Sequence, residues 1–327
     1  MYDRENQIKE GISLESLIFS LNATIPVFLL MILGMLFKKI GWIDDIFASK
    51  MNKFVFLVPL PVLLFNDLAT TDFTSVWDFR FVLFCFIVTL LSIIIVAILS
   101  FFLKDKTIQG EFIQASYRSS AALLGIALIQ NIYGDAGMAP LMIIGSVPMY
   151  NIMAVIVLSF FQPERKTLNK EVWLNTLKGI ITNPIIIGIV LGLIWSILKL
   201  PLPTIAHKTL TNIANLATPL GLMSMGASFH FDQVKEKFKP IVLSSFLKLF
   251  GFCIIFLPLA ILLGFTTDKL IAILVMLGSS TTVSCYVMAK NMGHEGIMTS
   301  GTIMLTTLLS GFSITFWLFI LRSMQLV

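Results

Sequence analysis

Charge is what this sequence has least of. Of its 327 residues only 13% are Asp, Glu, Lys or Arg, about half the share of a soluble domain. No hydrophilic stretch longer than about twenty residues separates the apolar segments, which leaves almost no room for a soluble domain. Acids are scarcest where the chain is most apolar: of 18 Asp and Glu, only Asp67 lies clearly inside a predicted span, near its outer end. Cysteine is rare too. Cys85, Cys253 and Cys285 each fall in an apolar segment; without metal-ligand or disulfide spacing, they read as buried, reduced, structural residues. His207, His230 and His294 are scattered toward span ends and do not share a metal. There is no HExxH, no P-loop and no pair of intramembrane aspartates. No enzyme activity, cofactor, metal or ATP hydrolysis is therefore expected. The net charge of +5 sits in loops, so it reads as membrane topology and not as a nucleic-acid surface.

What the chain has instead is apolar length. Mean hydropathy is +0.93. A spanning helix needs about 20 mostly apolar residues, and ten segments qualify: 20–38, 47–67, 79–103, 109–133, 137–161, 173–198, 203–229, 239–264, 268–292 and 297–322. Continuous apolar runs indicate helices and not a barrel. The chain reads as an all-α polytopic protein of the cell membrane, with the lipid bilayer as its surroundings. The first twenty residues lack the order of a cleaved signal peptide, and Ser13 to Asn22 read as a short interfacial helix. Eleven Lys and Arg lie in loops after odd-numbered spans and seven on the other side. That bias puts both termini outside and the odd loops in the cytoplasm.

The two halves echo each other. Pro26 and Pro184 are 158 residues apart, as are Gly34 and Gly192, and Pro61 and Pro219. Gly134 and Gly293 differ by 159, as do Gly137 and Gly296. A near-constant offset over three pairs of spans indicates five helices plus five, residues 1–161 and 162–327. Because five is odd, the second unit enters from the opposite side. Inverted repeats of this kind are typical of secondary transporters, whose sites lie where helices are interrupted near the midplane.

The ninth span, LVMLGSSTTVSCYVMAKNMG, carries Gly278, Ser279, Ser280, Thr281 and Thr282 in a row at its centre. The fourth, SYRSSAALLGIALIQNIYG, places Ser119, Ser120 and Gly125 at depths matching Ser279, Ser280 and Ser284. Small and hydroxyl residues permit close helix packing; they also satisfy backbone freed by a break. Both readings stand, and symmetry favours two broken, crossed helices around a polar cavity. Arg118 beside Ser119 reads either as snorkelling to the cytoplasm or as attracting an anion. Lys53 and Lys248 carry the same two readings, leaning to snorkelling. Asn66, Asn151, Asn183, Asn212 and Asn215 supply hydrogen bonds, with Asn151 a substrate-site candidate, and Pro148 suggests a bend in span 5. Asp67 is the candidate proton site, though a helix-end acid is the plainer reading.

At this point the sequence resembles the auxin efflux carrier family in its bacterial branch, which includes malate- and malonate-permease-like proteins. The resemblance runs over nearly the whole chain. It is carried by PVFLLMILGMLFKKIGWID and KFVFLVPLPVLLFNDLA, by Arg118, Gly125 and Tyr133-Gly134, and by CYVMAKNMG and TIMLTTLLS. It implies ten helices in a five-plus-five inverted repeat. Helices 1, 2, 6 and 7 (about 20–67 and 173–229) would form a scaffold, and helices 3–5 and 8–10 (about 79–161 and 239–322) a transport domain, with helices 4 and 9 crossed and interrupted. It also implies organic anions as substrates, elevator-like motion and a homodimer through the scaffold. This chain departs from the family pattern. Ser120 stands for Asn, Ala127 for Pro, and Ser280, Ser284 and Cys285 replace the Pro and Asn of span 9. Any breaks must then rest on Gly125 and on Gly278 with its hydroxyl neighbours. The expected function is secondary transport of small organic anions, carboxylates foremost in the family's manner, by alternating access. A non-transporting ligand sensor and a cation-coupled exchanger are the rivals; a buried carboxylate pair would mark the latter.

Overall fold

A computed structural model describes residues 25–70, 78–121, 137–163 and 177–327. The expected interfacial helix and the second half of predicted span 4, with Gly125 and Ala127, lie outside the described residues. Every regular element described is helical. Helix α1 runs through 25–39. It is followed by α2 (Asp45–Leu57), α3 (Pro59–Ala69), α4 (Phe79–Ser100), α5 (Gln109–Tyr117) and α6 (Ala139–Phe160). The second half holds α7 (Pro184–Ile197), α8 (Thr204–Ala214), α9 (Ala217–Ala227), α10 (Phe231–Glu236) and α11 (Phe238–Leu262). It ends with α12 (Thr267–Gly278), α13 (Ser284–Asn291) and α14 (Ile297–Ser323). Within α11 the turn Leu247–Gly251 is π-helical.

Among the described residues, five helical stretches are long and apolar enough to cross a membrane: Asp45–Ala69, α4, α6, α11 and α14. The expected spans 2, 7 and 9 are each two helices, and the chemistry of the break is local. Val58 precedes Pro59 and sits at φ −125°, ψ −72°, outside the α region that a following proline disfavours. Pro219 has no N–H for the carbonyl of Asn215, where α8 ends. Span 5 is a continuous helix through Pro148.

Two glycines set the closest helix approach. A Cβ on Gly226 of α9 would lie 2.1 Å from the Met31 carbonyl oxygen, and one on Gly34 of α1 would lie 2.2 Å from that of Met223. The two backbones touch where neither has a side chain, the small-residue device of membrane helices. Helix α7 packs along α3, α9 on α2, α4 on both α5 and α6, and α14 on α11 and α12. Large apolar side chains point outward from several helices, among them Leu29 and Ile32 on α1, Ile187 and Leu191 on α7, and Phe312 and Phe319 on α14. Such a belt suits hydrocarbon surroundings.

Ion pairs sit at helix ends. Asp78 caps α4 by accepting from the Phe81 N–H at 3.1 Å, and it pairs with Lys269 at 2.6 Å. The Lys269 hydrogen bond holds the Asp78 carboxyl below the usual carboxylate range. Asp105, between α4 and α5, pairs with Lys237 at the junction of α10 and α11, and the Asp105 hydrogen bond raises the pKa of the Lys237 ammonium. Glu111 is a buried acid that the span-by-span reading passed over. Its carboxylate accepts from the Gly296 N–H at 2.8 Å and from the Thr299 N–H and hydroxyl at 2.9 and 2.8 Å. It thereby fills the orphan first-turn donors of α14.

Candidate functional site

Helix α12 ends at Gly278, and Ser279 turns to φ −74°, ψ 163°. The chain stays non-helical until α13 begins at Ser284. Helix α5 ends at Tyr117, and Arg118 turns to φ −75°, ψ 131°. The two extended stretches meet: the Ser120 N–H donates to the Ser280 carbonyl at 2.9 Å. Neither break uses a proline; side chains of the opposite stretch take over the carbonyls each helix end leaves open. Ser119 donates to the Met276 carbonyl in the last turn of α12. Thr281 donates to the Ala115 carbonyl in the last turn of α5 at 2.8 Å. The Gln114 amide donates to the Cys285 carbonyl at 2.9 Å, and the Thr306 hydroxyl of α14 accepts from the Thr281 N–H at 3.1 Å. Hydroxyls placed on both sides of the crossing therefore do what breaking residues do elsewhere.

Arg118 does not snorkel. It is 2% exposed. One terminal nitrogen donates to Asn151 Oδ1 at 2.7 Å and to Ser284 Oγ at 2.8 Å, and the other to Met288 Sδ at 2.9 Å. Its Nε is buried without a partner, and among the described residues no carboxylate pairs with it. Asn151 is held for this contact by its own amide, which donates to the Val147 carbonyl at 2.9 Å. Lys248 is fully buried as well, its ammonium on the Leu277 carbonyl. The lean to snorkelling is thus corrected for Lys248: the broken end of α12 supplies an acceptor inside the protein. Lys53 is exposed, in keeping with that reading.

Arg118 faces a cavity of about 80 Å³, room for a few waters or one carboxylate-sized group. One wall is the crossing: Arg118, Ser119, Ser120, Thr282, Val283 and Ser284, backed by Tyr150 and Asn151 of α6. The facing wall comes from α3 and α9, with Leu63, Leu64, Asp67, Ala217 and Thr218. Thr282 and Val283 lead into the first turn of α13, whose partial positive end favours an anion, while the Cys285, Tyr286 and Val287 N–H groups already donate to the Thr282 and Val283 carbonyls. Of the expected site residues, Arg118, Ser119, Ser120, Asn151, Ser284 and Asp67 line this cavity. Ser279, Ser280 and Thr281 are buried in the crossing behind it. Gly125 lies outside the described residues. Thr218, Thr282 and Tyr150 are lining residues that the site reading omitted; Thr218 stands directly before Pro219, the one sequence signal that marked its position. A second, larger cavity of about 390 Å³ lies between α2, α9 and the α13–α14 turn, lined by Asn52, Ser224, His230, Tyr286 and Lys290 among others. Among the described residues no cluster of His, Cys, Asp and Glu is arranged to hold a metal, and the three cysteines are free and buried.

A family model described as membrane transport protein matches residues 19–318. The chain belongs to this family, that of the auxin efflux carriers. Family membership makes it a membrane transporter and not an enzyme. No curated protein matches it in sequence. Among solved structures it is similar to the sodium proton antiporter MjNhaP1 from Methanocaldococcus jannaschii, with a TM-score of 0.59 and 14% identity over 94% of this chain and 100% of that one. At that identity the likeness concerns the fold.

Proposed function

We propose that this transporter is a secondary carrier of small organic anions, carboxylates foremost, working by elevator-like alternating access. The observation that carries the reading is Arg118: a buried cation with an unpartnered Nε, opening on a cavity at the start of α13. A carboxylate there would meet the guanidinium, the Ser120 and Ser284 hydroxyls and the partial positive end of α13 together. The division into a scaffold (spans 1, 2, 6, 7) and a transport domain (spans 3–5, 8–10) is supported by the cavity's two walls, one from each group. The five-plus-five inverted repeat is supported by paired details. The breaks at Val58 and Leu216 are 158 residues apart, matching the offset of their prolines. Helix α1 packs tightly on α9 through Gly34, and α7 on α3 through Gly192, so each first span meets the second span of the other half. A scaffold homodimer and outside termini belong to the same proposal.

Purified protein in liposomes tests it. Counterflow of a radiolabelled mono- or dicarboxylate is the expected result, abolished by Ser120→Leu or Ser280→Leu in protein that still elutes as one sharp peak. No flux of any carboxylate, amino acid or indole acid would sink the proposal. Binding without counterflow would instead mark a sensor. One observation favours a proton-coupled variant of the same reading: Asp67 lines the cavity opposite Arg118. In that variant Asp67→Asn keeps counterflow but abolishes uptake driven by an imposed pH gradient.

A further inference from the structure

Helix α13 is tied to one side of the molecule and rests on the other. On the side of the crossing it is held by hydrogen bonds. The Gln114 amide of α5 donates to the Cys285 carbonyl at 2.9 Å, and Arg118 donates to Ser284 Oγ at 2.8 Å and to Met288 Sδ at 2.9 Å. Toward α2 and α9 a single long hydrogen bond runs from the far end of α13: Asn291 Nδ2 donates to the Asn52 carbonyl at 3.3 Å, and it also donates to Val287 of its own helix at 2.8 Å. The contact with α9 is built around Gly221, buried in the middle of that helix. A Cβ on Gly221 would lie 3.1 Å from Val283 Cγ1 and 3.3 Å from Val287 Cγ2. Val283 caps α13 in helical conformation, so the two valines, four residues apart, are neighbours on one helix face. They form adjacent ridges, and Gly221 faces the groove between them. Side chains set into such grooves fix how two helices sit together; here α9 offers none. A cavity opens at each end of this contact. Val283 and Val287 line the one at Arg118, and Tyr286 and Lys290 the one of about 390 Å³.

We infer that Gly221 is the residue that lets the crossing slide along α9: with no side chain to catch between Val283 and Val287, α13 changes register freely, and the size of the residue at this position sets the turnover rate. The inference rests on the elevator reading and names the contact that governs its speed. A methyl on Gly221 fits the described register once the valines give by a few tenths of an ångström. It must climb over one of them whenever α13 moves, because packed helices pass each other in jumps from groove to groove. Counterflow of radiolabelled succinate in liposomes and succinate binding by calorimetry are measured side by side. Gly221→Ala is expected to turn over about threefold more slowly than wild type and Gly221→Val about thirtyfold. Affinity is expected to stay within about twofold, since the loss falls on the motion and not on binding. Val287→Ala added to Gly221→Val removes a ridge and is expected to win back about tenfold in rate. Rates equal to wild type in the Gly221 variants overturn the inference. So does a loss of affinity that matches the loss of rate, and so does a double variant as slow as Gly221→Val, because either would make the glycine a packing residue only. Should Gly221→Val not fold, the rate and affinity of Gly221→Ala decide. Failure of the carrier reading looks different: wild type itself would then move no carboxylate, and the inference falls with it.

Discussion

A guanidinium enclosed by a membrane protein must find acceptors, and Arg118 finds neutral ones: an amide oxygen, a hydroxyl and a thioether. That choice leaves its charge uncompensated and available to a ligand. Arg118→Ala removes the attraction and leaves Asn151 and Ser284 without their donor; it should weaken anion binding by about a hundredfold, or about 2–3 kcal/mol, as read by calorimetry or by ligand-induced thermal shift. Arg118→Lys should recover little, because an ammonium cannot reproduce the planar fork. Glu111 is the residue-scale counterweight. Three charge-assisted bonds to the start of α14 depend on it. Glu111→Ala should cost about 2–4 kcal/mol of stability, seen as a lower melting temperature, and Glu111→Gln clearly less, since one acceptor oxygen remains.

At the scale of the element, the crossing is a pair of helix ends that cap each other. The two sides are not equally insured. The Met276 carbonyl accepts from Ser119 and also from the Tyr150 hydroxyl at 3.2 Å, whereas Thr281 is the side chain donating to the Ala115 carbonyl. Ser119→Ala should therefore cost less than about 0.5 kcal/mol and Thr281→Val about 1–2 kcal/mol, a difference measurable by parallel thermal melts. The hydroxyl clusters of both stretches were legible in the sequence because polar residues stand out against hydrocarbon. So was their partnership, through the repeat offset. The division of labour was not. Nothing in SSTT separates Thr282, which lines the cavity, from Thr281, which is turned away to hold α5; that depends on which way an extended chain presents alternate side chains. The breaks in spans 2 and 7 had a written signal in Pro59, Pro61 and Pro219, which apolar length overrode. Glu111 and Lys248 were misjudged for one reason: lying near a predicted span end suggests water, while the acceptors and donors that hold them come from distant segments.

Over the whole molecule, the ends and the middle are held by different forces. Asp78, whose carboxyl is held below its ordinary range by Lys269, contributes stability that is present above the ordinary aspartate value of about 3.9. It is lost as pH falls through the lowered folded value. The pair is partly exposed, so its worth is below about 1 kcal/mol. The difference in melting temperature between wild type and Asp78→Asn should shrink on acidification, and a difference constant with pH would remove the pair from the account. In the middle, contact replaces charge. Gly226→Val would drive a side chain into the Met31 carbonyl and should turn a single chromatographic peak into aggregate. The Arg118 contact to Ser284 spans 166 residues of sequence. At ribosomal speed that separation is roughly ten to thirty seconds of synthesis. Throughout that interval the arginine is already in the nascent chain, but the helix that shelters it does not yet exist. A half-made copy thus differs from a finished one in holding a guanidinium that still lacks its Ser284 and Met288 acceptors.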